Sequence, residues 1–244
     1  MLETLLRGPK IIFNGYNGAI INTTEEDLAD VSALLVFPTT AVALEVASSS
    51  VADVKTSGTG AWTIRVYGLD SNYGWQTEDF DLNGQTMVPG VKTWIFVYGA
   101  EVLTSGTGKA NAGNIQVADV AVTWTTGVAS DLTKVFAMIA IGMVISHCGY
   151  FCVPAGERYD VEYIGIQNNA QICEYRLSIL RFGEQAGRLA LGRLAATSNP
   201  LQLNIPPKSI LLPAKSIIRL MASAATTGAI GACIIILRRY PEAT

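Results

Sequence analysis

The sequence predicts an all-β fold of antiparallel strands, arranged as one large β-sandwich or two in tandem. Turn-forming residues recur roughly every 8–14 positions, a spacing typical of sandwiches. Apolar residues alternate between those turns, as in Trp62-Thr63-Ile64-Arg65-Val66-Tyr67, where Ile64 and Val66 share one face. No long stretch carries the three-to-four-residue apolar period of an amphipathic helix.

Residues 1–33 read as an N-terminal arm or connector. They mix short apolar groups with turn formers, as in Phe13-Asn14-Gly15-Tyr16-Asn17-Gly18. Thr23–Asp30 is the best helical start, with Thr24 as N-cap and acids in the first turn, and it predicts one or two turns. From residue 34 the pattern is β, and residues 34–125 form the first half. Ala41–Ala47 is a strand with Val42, Leu44 and Val46 on one face. Trp62–Tyr67 leads to the turn Asp70-Ser71-Asn72-Tyr73-Gly74, and Trp75–Leu82 runs into Asn83-Gly84, a strong hairpin signal, with Gln85–Val88 returning beside it. Thr93–Val102 is a long strand interrupted at Gly99, and Asn114–Trp124 holds one or two more.

Residues 126–133 are the expected joint, and 126–244 the second β-rich half. Val153-Pro154-Ala155-Gly156 leads into a strand at Tyr159–Ile166, and Leu212-Pro213-Ala214-Lys215-Ser216 into one at Ile217–Ala222. Proline suits such entries because no ladder N–H is needed there. Ile172–Arg181, Leu189–Leu194, Leu201–Ile205 and Cys233–Arg239 complete the strands.

The 244 residues are 50% hydrophobic and only 15% charged, against a usual quarter charged. The longest apolar run, Phe136–Ile145, is shorter than the roughly 20 residues of a bilayer-spanning helix. The first ten residues lack the n- and h-regions of a secretory signal. The apolar surplus therefore points to subunit contacts rather than to a membrane. Residues 1–125 hold 6 Lys/Arg against 13 Asp/Glu, and residues 126–244 hold 11 against 7, a split suited to head-to-tail or layered association. No basic run argues for nucleic acid.

Candidate chemistry is sparse. Ser105-Gly106-Thr107-Gly108-Lys109-Ala110 imitates half a phosphate loop, but Ala110 stands where a magnesium-binding Ser or Thr belongs. Gly58-x-Gly60 lacks the third glycine of a dinucleotide fingerprint. Turn glycines explain both. Asp70–Gly74 opens like a calcium loop without its later ligands, so an Asx turn is the ordinary account. His147, the single histidine, with Cys148 and Cys152 matches no zinc spacing, and Cys173 and Cys233 sit in apolar strands. Trp62, Trp75, Trp94 and Tyr98 serve either as core or as stacking platforms for sugars. No catalytic, cofactor-binding or metal residue is assigned, and the chain is not expected to be an enzyme.

The segments Ser48–Tyr73 and Leu82–Thr86, then Ser105–Gly108 with Asn111-Ala112-Gly113-Asn114-Ile115, resemble a family of tailed-bacteriophage virion proteins of aquatic and cyanophage type. Val153–Gly156, Arg181-Phe182-Gly183 and Pro213–Ser216 are similar to its later motifs, with departures at Trp62 and in Phe136–Ile145. The resemblance implies a jelly-roll-like sandwich located in the virion and assembled in the host cytoplasm. It implies a non-enzymatic capsid decoration (cement) protein, expected as a homotrimer bound to the major capsid protein or other virion proteins. The alternative is a tail or fibre adhesion module that binds host-surface glycans.

Overall fold

The computed structural model describes residues 10–21, 23–169, 173–181, 188–196, 201–206, 209–225 and 228–241. The chain opens with strands β1 (Lys10–Ile20), β2 (Glu26–Asp27), β3 (Val42–Ser48), β4 (Ala61–Leu69), β5 (Trp75–Asp81), β6 (Val88–Trp94) and β7 (Phe96–Ser105). It continues with β8 (Ile115–Asp119), β9 (Trp124–Thr125), β10 (Val128–Ala129), β11 (Val135–Ile139), β12 (Tyr150–Cys152) and β13 (Glu157–Asn168). It closes with β14 (Cys173–Leu180), β15 (Arg188–Ala196), β16 (Leu201–Asn204), β17 (Leu211–Leu212), β18 (Ile217–Ala224) and β19 (Ala229–Pro241). A single 3-10 turn, Leu132–Lys134, is the only helical piece among the described residues. The all-β, antiparallel expectation holds.

Two compact units divide the chain: residues 1–34 with 148–244, and residues 35–147. The second is thus inserted into the first. This differs from the expected division at 34 and 126–133: that joint lies inside the inserted unit, where Thr126-Gly127 is the turn of the small β9–β10 hairpin. The charge split changes with it. The outer unit holds 12 Lys/Arg against 11 Asp/Glu and the inserted unit 5 against 9, so the acids of residues 1–34 offset the basic C-terminal region.

The outer unit has two sheets, ordered β1-β19-β13-β16, with β17 continuing beside β13, and β12-β18-β14-β15, with β2 beside β18. Its first long strand lies next to its last, and β12 next to the penultimate strand. The eight strands of the two four-strand paths, in that order, form a jelly roll, with β17 and β2 as additions. Ile11, Phe13, Tyr159, Tyr175, Leu220 and Ile235 are among the residues that fill its core.

The expected arm is part of this unit. Ile11, Phe13 and Gly15 alternate inward along β1, which pairs with β19 from Lys10–Arg238 to Ile20–Ala229. The expected helix at Thr23–Asp30 is replaced by β2. Asp27 there is fully buried and accepts two bonds from the Arg219 guanidinium, Nε at 2.7 Å and Nη2 closer still. Glu26 accepts from Asn17 Nδ2 at 3.0 Å. Tertiary pairing of these acids overrides their local preference for a helix N-terminus.

The inserted unit has sheets β11-β8-β3-β6 and β5-β4-β7. Ile64, Val66, Phe80, Trp94 and Val117 are buried in it, and the predicted shared face of Ile64 and Val66 is observed. Backbone bonds join β7 to the chain after β11, with Val102 N–H to Val144 O at 2.8 Å and Ser146 N–H to Ala100 O at 2.9 Å. Side chains bridge the other seam. Gln76 Nε2 donates to Thr93 O at 2.7 Å, Lys92 Nζ to Thr77 O at 2.5 Å, and Val91 N–H to Glu78 Oε1 at 2.6 Å.

Candidate functional site

The repeated Ser-Gly-Thr-Gly motif proves to be one structural device. Gly106 N–H donates to Gly60 O and Gly108 N–H to Thr59 O, both at 2.8 Å, so the two repeats lie against each other. The approach is too close for side chains: a Cβ on Gly106 would fall 2.3 Å from Gly58 O. These amides are committed to carbonyls and do not form a phosphate cradle.

At the centre stands Asp53, fully buried. Its Oδ1 accepts from Ala61 N–H at 2.7 Å and Ala112 N–H at 2.8 Å. Its Oδ2 accepts from Gly113 N–H at 2.9 Å and the Ser48 hydroxyl at 2.5 Å. A Cβ on Gly60 would lie 2.0 Å from Oδ1. One carboxylate thus ties the serine-rich segment, the first Gly-Thr-Gly-Ala turn and the Asn-Ala-Gly turn together, satisfying three backbone amides that strand pairing leaves over. Sequence reasoning found the three motifs and missed the acid, because a single Asp in Val51-Ala52-Asp53-Val54 carries no spacing signal.

The remaining candidates are placed as follows. Asp70 Oδ1 accepts from Asn72 N–H at 2.8 Å and Gly74 N–H at 2.9 Å, an Asx turn. Asp79 pairs with Arg65 Nε at 2.6 Å and Nη2 at 2.8 Å, which holds its carboxyl below the usual aspartate range. Asp81 meets Lys55, and Glu78, one residue from Asp79 along β5, is buried. Among the described residues no group of three or more His, Cys, Asp and Glu is placed to hold a metal.

All four cysteines are buried free thiols in the outer unit. Burial pushes the Cys233 thiol up to about 12, and Cys152 and Cys173 also upward, so none of these three is poised as a nucleophile.

Trp94 and Tyr98 lie in the core, at 1% and 6% exposure. Trp62 is half-buried with its Nε1 donating to Gly58 O at 2.7 Å, and half-buried Trp75 stacks on Tyr98 with ring centroids 4.9 Å apart. Two of the four proposed sugar platforms are therefore interior.

The run Phe136–Ile145 divides. Phe136, Ala137 and Ile139 are buried in β11. Ile141, Met143 and Val144 are exposed by 64%, 41% and 50%. This apolar turn is held rigidly: Asn114 Oδ1 accepts from Ile141 N–H at 2.8 Å, and Asn111 Nδ2 donates to Ala140 O at 2.9 Å. Gly142, at φ +78°, supplies the left-handed residue.

No protein-family model matches the chain, and no curated protein matches its sequence. Similar solved structures come from infectious bursal disease virus. The Gx strain has a TM-score of 0.23 and 11% identity, covering 96% of this chain and 71% of that one. The T13 viral particle of the same virus gives 0.21 and 12%, over 84% and 59%, and the Gt strain 0.19 and 10%, over 96% and 75%. Likeness at this level assigns neither family nor function.

Proposed function

We propose that this chain is a structural component of a virus particle that works by packing against other shell subunits. The observation that carries the reading is a complete jelly roll interrupted by a second β unit that displays a rigid, exposed apolar turn. Fold alone does not define a role, but pinned apolar side chains in water favour an arrangement that covers them. The earlier resemblance to tailed-phage virion proteins supports the same reading, and within it a capsid decoration role in contact with the major capsid protein, as a homotrimer.

The test is localisation in particles. An antibody against the chain should label the shell evenly, and recombinant chain should sediment with shells that lack it. Label confined to a tail tip, with retention on host glycans, would replace decoration by adhesion. A chain absent from purified particles would end the reading.

A further inference from the structure

β1 is the edge of the outer unit's β1-β19-β13-β16 sheet, and an edge needs protection against pairing. Among the described residues, several other edges have it. β12 is three residues long, and β16 and β17 are short and followed by Pro206 and Pro213. β5 carries Glu78, Asp79 and Asp81, and β6 carries Pro89 and Lys92. Five-residue β11 lies against β7. β1 runs eleven residues with neither proline nor any charge after Lys10.

We propose that β1 pairs with β1 of a second copy, antiparallel about a two-fold axis at Asn14, so that the sheet continues from one chain into the next. The register follows from the alternation of exposed and buried residues along β1. With Asn14 opposite Asn14 of the other copy, exposed Ile12 (37%) faces exposed Tyr16 (38%) twice, and the two amides meet on the axis. Inward, Phe13 faces Gly15, which has no side chain to obstruct it. Centring on Phe13 would set Ile12 against Asn14 and Lys10 against Tyr16. Centring on Gly15 would set Ile12 against Gly18 and Tyr16 against Asn14, so the two exposed apolar residues no longer meet. A slip by one residue would turn the apolar set to the wrong face. A two-fold contact of this kind is isologous and joins two chains only, so it links neighbouring trimers rather than building one.

The inference rests on the assembly reading and names one contact within it. The test uses the full chain with Asn14→Cys, Ile12→Cys and Asn14→Lys. Facing residues of an antiparallel pair lie about 4.5–5.5 Å apart, within disulfide reach, and the native thiols are buried. Mild oxidation should convert most Asn14→Cys chains to a covalent dimer, and neither wild type nor Ile12→Cys, whose copies are offset by four residues. Asn14→Lys, which sets like charges on the axis, should lower the fraction of paired trimers at least tenfold in sedimentation while circular dichroism stays unchanged. Oligomers without the Asn14→Cys cross-link, or with equal cross-linking by Ile12→Cys, overturn the strand pairing and leave the shell role standing. A wild-type chain that stays monomeric at tens of micromolar, with no cross-link, overturns the pairing outright.

Discussion

Replacing Asp53 by Asn keeps the side chain's size and removes its charge. The new amide oxygen can still accept from Ala61 and Ala112 N–H. The NH2 group then meets Gly113 N–H, donor against donor, while the Ser48 hydroxyl can rotate to accept. One buried N–H left unpaired costs about 1–3 kcal/mol, and two charge-assisted bonds becoming neutral cost about 1 kcal/mol each. The expected loss is about 3–5 kcal/mol, a large part of the 5–15 kcal/mol typical of a domain.

The chain supplies two separate probes for measuring it. Trp62, Trp75, Trp94 and Trp124 all belong to the inserted unit, and Cys148, Cys152, Cys173 and Cys233 all belong to the outer one. In urea, the tryptophan transition of Asp53→Asn should move to lower denaturant while the transition seen by thiol labelling stays in place. A tryptophan midpoint within about 0.5 kcal/mol of wild type would refute the view that this carboxylate holds the three turns, given the cost of one orphaned amide.

Gly106→Ala forces a methyl against Gly58 O and should cost the inserted unit at least about 2 kcal/mol by the same tryptophan measurement, since packed backbone cannot yield cheaply. Arg219→Met leaves Asp27 buried without its guanidinium, so thiol labelling should report the outer unit losing about 3–5 kcal/mol. Burial raises the Glu26 carboxyl above its ordinary 4.5, against the opposing bonds from Asn17 and Ile21. The folded state therefore holds this proton more tightly than the unfolded chain, and ionising Glu26 costs stability as pH rises through its folded value. Glu26→Gln, whose oxygen can keep both bonds, should match or exceed wild-type stability at pH 7. That advantage should vanish below about pH 4.5 in urea titrations followed by circular dichroism.

Most of the strand plan was legible because alternation survives wherever one face is buried. β3, β4, β5, β13, β14 and β18 fall where the apolar periodicity puts them. β6 and β7 were misdivided because both contribute to one apolar stretch and the break at Ile95 has no turn residue to mark it. β1 was hidden by its Asn-Gly pairs, which read locally as turns. They are held extended by a partner strand some two hundred residues away, and Asn17 is anchored by Glu26. The insertion was invisible for a similar reason: no local composition marks the return to the first unit at Cys148. At the candidate site the glycine motifs were plain, but their meaning lay in Asp53, whose three amide partners are gathered from distant turns.

The pairing of β1 with β19 has a consequence for biosynthesis. As the ribosome works at about 5–20 residues per second, the inserted unit, contiguous in sequence, can close while the C-terminal strands are still being made. The jelly roll waits for β19 to emerge, holding a sticky ribbon open until then. A nascent or prematurely terminated product that stops short of β19 therefore lacks a finished outer sheet.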